Sequence, residues 1–80
     1  MIRVLLKQKL DEKSFRMKRR ITLSEVAETT GISRATLNRI ANVPGYKTNT
    51  EIISALCGYF DCLPGELLQL LTEEPEEVEE

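Results

Sequence analysis

The chain has 80 residues, of which 41% are hydrophobic and 30% are charged. This length supports one small domain, and the composition is that of a globular protein, which excludes a fibrous chain or one disordered throughout. The longest apolar run, Val4-Leu5-Leu6, is far shorter than the roughly 18 to 20 residues of a membrane-spanning helix, and no export signal is recognisable. We therefore expect a small cytoplasmic binding module.

The charges are divided unevenly along the sequence. All eleven Lys and Arg residues lie within residues 1–47 together with four acids, whereas residues 48–80 contain nine acids and no base. The formal net charge of -2 is thus the sum of a basic segment and an acidic one. Such a division is typical of a protein with a polyanion-binding face. By itself it is equally compatible with an uneven but solvated surface.

Apolar residues at helical spacing predict a first amphipathic helix over about residues 5–18. Its apolar face consists of Leu6, Leu10, Met17 and Ile21, with Lys13 or Ser14 between them. Residues 1–4, which precede this helix, could form a short strand. The basic run at residues 18–20 suits the end of this helix, where cations meet the negative end of the helix dipole.

A capping box, Thr22-Leu23-Ser24-Glu25, predicts the start of a second helix that ends at Thr29 or Thr30. In this motif the Thr22 hydroxyl accepts a hydrogen bond from the N–H of Glu25, and the Glu25 carboxylate accepts one from the N–H of Thr22. Gly31 then permits the positive φ of a sharp turn. Ser33 is a suitable N-cap for a third helix over about residues 34–41.

Residues 42–47 are predicted to be a loop, because Pro44-Gly45 is turn chemistry. Thr48 or Asn49 caps a fourth helix, and its apolar face is formed by Ile52, Ile53, Leu56, Cys57, Tyr59 and Phe60. A final short helix begins at Pro64 and is expected to bury Leu67, Leu68 and either Leu70 or Leu71. Beyond it, residues 73–80 contain too little apolar material to pack, and we expect a flexible acidic tail.

The second and third predicted helices contain the residue pattern of two short helices that pack closely against each other. Two short helices that cross closely need a small residue at their contact, a glycine in the turn and apolar anchors on the inner face. The sequence supplies these in order as Val26, Ala27, Gly31, Ile32, Leu37 and Ile40. If Leu37 and Ile40 face inward, the outer side of the third helix displays Arg34, Ala35, Asn38 and Arg39, with Ser33 and Thr36 near its start.

This outer side has the chemistry of a DNA-reading helix. An α-helix fits the major groove, where Arg donates two hydrogen bonds to guanine and Asn pairs with adenine. We therefore expect base contacts from Arg34, Ala35, Thr36, Asn38 and Arg39. Contacts to the DNA backbone are expected from Arg19, Thr22, Ser24, Ser33, Asn42 and Lys47. The alternative for the two arginines is a solvated helix face.

The stretch ITLSEVAETTGISRATLNRIANVPG resembles the helix-turn-helix of the Cro/CI-like, or Xre-type, transcriptional regulators. LCGYFDCLPGELLQLL is similar to the closing helices of a small single-domain branch of that family. The resemblance implies an all-α, five-helix, lambda-repressor-like DNA-binding domain over residues 1–72. It also implies a repressor-like regulator of transcription that binds double-stranded DNA as a homodimer.

Other classes of function find little support. The chain has no His and no second pair of cysteines, so Cys57 and Cys62 lack partners for a zinc site and are expected to be small packed thiols. No nucleophile elbow or phosphate-binding glycine loop is present, so we expect neither catalysis nor a cofactor. The remaining alternative is a protein-interaction module, such as an antitoxin-like partner protein. Residues 1–6 and the last helix are both candidates for a dimer surface.

Overall fold

The structure is a computed structural model that describes residues 1–71, and these form five helices and a two-stranded sheet. The helices are α1 (Leu6–Met17), α2 (Leu23–Thr30), α3 (Arg34–Asn42), α4 (Thr50–Phe60) and α5 (Pro64–Leu67); the strands are β1 (Ile2–Val4) and β2 (Leu68–Leu70). The predicted fold class, a five-helix domain containing a helix-turn-helix, is confirmed. The predicted acidic tail at residues 73–80 and the domain boundary at residue 72 lie outside the described residues.

Side-chain caps fix the starts of three helices. Each capping oxygen accepts from a backbone N–H three residues later: Thr22 from Glu25 at 3.2 Å, Ser33 from Thr36 at 3.1 Å, and Asn49 from Ile52 at 2.8 Å. Each bond satisfies a donor that the first turn of a helix leaves without an intrahelical partner. The predicted starts of α2 and α3 are confirmed, and Asn49 rather than Thr48 is the cap of α4.

The second half of the predicted capping box is wrong. The Glu25 carboxylate does not return to the N–H of Thr22; it forms two hydrogen bonds with the Arg19 guanidinium, Nη1 to Oε1 at 3.0 Å and Nη2 to Oε2 at 2.6 Å. A guanidinium offers a carboxylate two parallel, charge-assisted bonds, which a single backbone N–H cannot match.

One hydrophobic core joins every helix and the first strand. Its buried members are Val4, Leu6, Ile21, Val26, Leu37, Ile40, Leu56, Phe60 and Leu67. Met17, which the sequence pattern assigned to the apolar face of α1, is 49% exposed. Met17 is the last residue of α1, because Lys18 adopts the left-handed conformation with φ 58°.

The end of the domain differs from the prediction. Helix α5 stops at Leu67, and the next three residues form β2, which pairs antiparallel with β1 so that Ile2 lies opposite Leu70 and Val4 opposite Leu68. Leu67 is fully buried as expected, whereas Leu70 is 72% exposed. The pairing gives the backbone of this segment partners that lie nearly the whole chain away, a long-range effect that helical periodicity does not contain.

Thiols, metal-ligating side chains and long apolar helices were the remaining features to locate within residues 1–71. Cys57 and Cys62 are free thiols that lie half-buried against the core, where burial is the main cause that raises the pKa of Cys62. Within residues 1–71, no cluster of three or more metal-ligating side chains occurs. None of the helices in this range is long and apolar enough to cross a bilayer.

Candidate nucleic-acid interface

Helices α2 and α3 are joined by a three-residue turn that is closed by local hydrogen bonds. Gly31 ends α2 with φ 80°, a conformation that a residue with a Cβ adopts only under strain. The Thr30 hydroxyl donates to the carbonyl of Val26 at 2.7 Å and accepts from the N–H of Ile32 at 3.2 Å. The turn therefore holds α3 at a fixed orientation to α2, as the sequence predicts.

Helix α3 has one buried and one exposed face. Leu37 is 0% exposed and Ile40 is 4% exposed, and both belong to the core. The side chains that project from the opposite face into solvent are Arg34, Ala35, Asn38, Arg39 and Asn42. Because residues four apart lie one above the other on a helix, these five form a continuous outer strip. The predicted division of α3 into inner and outer faces is confirmed.

A cleft of about 510 Å³ separates the start of α2 from the exposed strip of α3. Its lining, which we call the α2–α3 cleft, consists of Leu10, Arg20, Ile21, Thr22, Leu23, Ser24, Arg34, Ala35 and Asn38. Five of the eleven predicted site residues thus share one concave surface: Thr22, Ser24, Arg34, Ala35 and Asn38. Hydroxyls from α2 face a guanidinium and an amide from α3.

The exposed strip is electropositive. Helix α3 contains no acidic residue, and within residues 1–71 neither Arg34 nor Arg39 forms an ion pair. Lys47, in the loop that follows α3, is exposed and likewise has no ion-pair partner in this range. Exposed cations without an acidic partner can bind phosphates or the acceptor atoms of bases.

Two neighbouring arginines precede α2, and one of them, Arg19, forms an ion pair with Glu25. The Glu25 carboxylate raises the pKa of Arg19 through hydrogen bonds and charge, and the same bonds lower the pKa of Glu25. Arg20, by contrast, is exposed, has no ion-pair partner within residues 1–71 and lines the α2–α3 cleft. The predicted site included Arg19 and omitted Arg20, because the sequence does not say which of two adjacent arginines turns toward Glu25.

Ser33 and Thr36 support the start of α3. The Ser33 hydroxyl accepts from the N–H of Thr36 at 3.1 Å and is 2.9 Å from the Thr36 hydroxyl, to which it is hydrogen-bonded. Thr36 is only half-exposed, so it lies at the edge of the outer strip rather than on its crest.

The Asn42 side chain orients that of Asn38. Its amide nitrogen donates to Oδ1 of Asn38 at 2.8 Å and to the carbonyl of the same residue at 2.9 Å. The amide group of Asn38 is thereby turned with its nitrogen available to an acceptor outside the protein. Sequence reasoning placed Asn42 in the following loop, and the structure instead makes it the last residue of α3. The spacing of four between two asparagines on a helix is the signal that indicates this pair.

In a comparison with protein families, residues 13–73 match the Cro/C1-type HTH DNA-binding domain. The match covers most of the chain, including all of α2, α3, α4 and α5. The chain belongs to this family. Among curated proteins, none matches it.

As a Cro/C1-type helix-turn-helix domain, the protein binds DNA and falls among the proteins that regulate transcription. The resemblance recognised in the sequence is confirmed, and α3 holds the second position of the helix-turn-helix, which is the recognition helix. The family is one of DNA-binding domains rather than of catalysts.

Replacing Glu25 with glutamine should strengthen the binding of DNA by this Cro/C1-type domain. The change removes the carboxylate that holds Arg19 and leaves a cation beside the α2–α3 cleft. One further phosphate contact would steepen the dependence of log affinity on log salt by about 0.9. Fluorescence anisotropy with a labelled duplex over a series of salt concentrations measures both effects.

Glu28→Gln is the matched control, because Glu28 is exposed on the same helix and no described residue forms an ion pair with it. It removes the same charge without releasing an arginine. Equal effects of the two substitutions would show that only net charge matters.

The pKa of Glu25 is lowered, so the stability from its ion pair is present above the ordinary glutamate pKa and is lost as the pH falls through the lowered value.

Proposed function

We propose that the protein is a cytoplasmic repressor of transcription that binds a specific double-stranded DNA sequence as a homodimer. The observation that carries this proposal is the pair of faces on α3: Leu37 and Ile40 are buried, and Arg34, Asn38 and Arg39 are exposed with no acidic neighbour on the helix. Occupation of an operator needs only this surface, whereas activation also needs a contact with the polymerase. The proposal involves no catalytic step and no cofactor.

The proposed base contacts come from the exposed strip of α3. Arg34 and Arg39 each offer two donors to a guanine, and Asn38 offers its amide nitrogen to an acceptor on a base edge. Ala35 lies between them and is small enough to meet a thymine methyl group. Thr36 lies at the edge of the strip, where its hydroxyl accepts a hydrogen bond from that of Ser33 and can still donate one to DNA.

The proposed backbone contacts surround this strip. Thr22 and Ser24 lie at the start of α2, where backbone N–H groups and the helix dipole favour phosphate. Ser33 and Lys47 extend the contacts to the two ends of α3. Arg20 replaces Arg19 as the principal cation at the cleft, since Arg19 is bonded to Glu25. Asn42 acts on DNA through its bond to Asn38.

Selection of bound sequences from a pool of random duplexes tests the proposal directly. A dimer that presents two recognition helices should enrich a palindrome with half-sites about 10 base pairs apart. Affinity for the enriched site should exceed that for unrelated DNA by roughly 10³-fold or more. Enrichment of no common sequence would contradict sequence-specific binding while leaving DNA binding in place.

A second candidate function is that of a protein-interaction module, such as an antitoxin-like partner. It is favoured by Phe15, which is 88% exposed on α1, away from the lining of the α2–α3 cleft. Exposed aromatic side chains are frequent anchors of protein interfaces. Under this reading Phe15→Glu abolishes capture of the partner and the Arg34→Ala, Arg39→Ala double variant does not. If the protein is instead a repressor, the Arg34→Ala, Arg39→Ala double variant loses specific DNA binding and Phe15→Glu retains it.

The acidic residues at positions 73–80 are proposed to screen the basic face and to discourage nonspecific binding. This segment carries six glutamates, whereas α3 and its flanking loops carry cations. Deletion of residues 73–80 should therefore increase affinity for unrelated DNA at low salt, and the gain should shrink at high salt as charges are screened. A variant with the six glutamates changed to glutamine should reproduce the gain. Unchanged nonspecific affinity would exclude a screening role.

A further inference from the structure

The two-stranded sheet exposes an uncharged apolar surface. Ile2 and Leu70 lie directly opposite each other in the register, so their side chains project from the same face. They are 54% and 72% exposed, and the neighbouring Met1 is 50% exposed. Contiguous exposed apolar side chains are a feature of interaction sites.

The same face continues into a cleft of about 390 Å³, which we call the sheet cleft. Its lining is formed by Ile2, Val4, Gly45, Tyr46, Lys47, Thr48, Asn49, Thr50, Ile53 and Leu68. Ile2 is thus both a wall of the cleft and an exposed side chain at its rim. The Thr48 hydroxyl oxygen is buried and has no hydrogen-bond partner among the described residues, although buried hydroxyls are ordinarily bonded.

We propose that two copies of the protein pair through this face, with Ile2 and Leu70 of each copy seated in the sheet cleft of the other. A protrusion and a cleft side by side on one surface are what a twofold interface requires, because each copy then supplies both halves of the contact. This inference rests on the homodimer of the proposed function and assigns its surface.

Charge favours a second copy over the protein's own C-terminal segment as the occupant. Residues 72–80 include six glutamates and one valine, and burial of carboxylates in an apolar cleft without partners is costly. Lys47, the charged residue in the described lining, could pair with one of these carboxylates and would leave five without a partner. A second copy instead offers Ile2 and Leu70, which match the apolar lining.

The position of the sheet suits a dimer that reads DNA. Met1 packs over Gly45, where its sulfur is 3.1 Å from the place that a Cβ would occupy, three residues after the end of α3. The loop that carries Lys47 therefore contacts both the sheet cleft and the end of the recognition helix. Pairing through the sheet would bring the C-terminal ends of the two recognition helices toward the twofold axis, since the loop that follows α3 lines the sheet cleft.

Sedimentation equilibrium of the full chain tests the surface. We expect the wild type to form dimers and Ile2→Glu plus Leu70→Glu to raise the dissociation constant at least about 100-fold, since each copy then places carboxylates against apolar partners. Leu63→Glu is the matched control, because Leu63 is 69% exposed and lies outside the sheet cleft. It should leave the dissociation constant unchanged. Circular dichroism verifies that each variant is folded.

The outcomes separate this inference from the proposed function. A wild type that stays monomeric in solution and binds its selected duplex one to one overturns the inference together with the homodimer of the proposed function, and sequence-specific binding survives. Persistence of the dimer in the Ile2→Glu, Leu70→Glu variant also overturns it. Loss of the dimer on deletion of residues 72–80 identifies that segment as the occupant and overturns it as well. Failure of the proposed function appears instead as absent sequence selectivity in a protein that still forms dimers.

Discussion

Simultaneous replacement of Arg34 and Arg39 with alanine should abolish sequence-specific DNA binding without unfolding the protein. Both side chains are exposed, and neither forms a described hydrogen bond or ion pair, so their removal costs the fold little. Each bidentate contact to a guanine contributes about 1–3 kcal/mol of discrimination, so the pair accounts for a loss of about 30-fold to about 10⁴-fold in affinity for the selected site. Competition anisotropy against specific and unrelated duplexes measures it.

The matched control is Lys7→Ala plus Arg16→Ala, which removes two exposed cations of α1 from outside the α2–α3 cleft. Both double variants lose the same charge, so a purely electrostatic effect would be similar in the two. We expect the control to lower the affinities for the specific duplex and for unrelated duplexes by similar factors, so that the ratio of the two affinities is unchanged. An undiminished ratio in the Arg34, Arg39 variant would place the reading surface elsewhere.

Replacement of Leu37 with alanine should destabilise the domain severely. Leu37 is fully buried at the contact of the recognition helix with the core, and truncation of such a side chain costs about 2–5 kcal/mol. The free energy of unfolding of a small domain is only about 0.05–0.15 kcal/mol for each of its residues, so this loss is a large share of the total. The melting temperature, followed by circular dichroism, should fall by more than about 10 °C.

Leu63→Ala, at a 69% exposed position, controls for the loss of a leucine and should change the free energy of unfolding by less than about 0.5 kcal/mol. Leu37→Ala should bind DNA weakly at temperatures where it is partly unfolded and recover on cooling. The arginine variant should show no such recovery. A Leu37→Ala protein that melts like the wild type would show that α3 is not anchored through this side chain.

Local chemistry made much of the helix-turn-helix predictable from sequence. The caps at Thr22, Ser33 and Asn49 act within three residues, and the glycine of the turn acts at its own backbone. The inner positions Leu37 and Ile40 follow from helical periodicity alone. Once these two are buried, geometry decides which side chains of α3 are exposed.

Contacts between distant residues were not predictable in the same way. The run of leucines after Pro64 fits a helix locally, but pairing with Ile2–Val4 turns it into a strand and exposes Leu70. The choice between Arg19 and Arg20 depends on the path of the chain between α1 and α2. For the same reason, the sequence left two surfaces open for a dimer, and the apolar cleft beside β1 appears only in three dimensions.

The pairing of the first strand with the last closes a loop of the whole domain, since the amino group of Met1 is bonded to the carbonyl of Leu71 at 3.1 Å. The helix-turn-helix is assembled from sequence neighbours, which meet quickly, whereas the sheet awaits a slow closure between distant segments. During synthesis α2 and α3 leave the ribosome before β2 does. The surface proposed for pairing would then be completed after the two helices of the helix-turn-helix have left the ribosome.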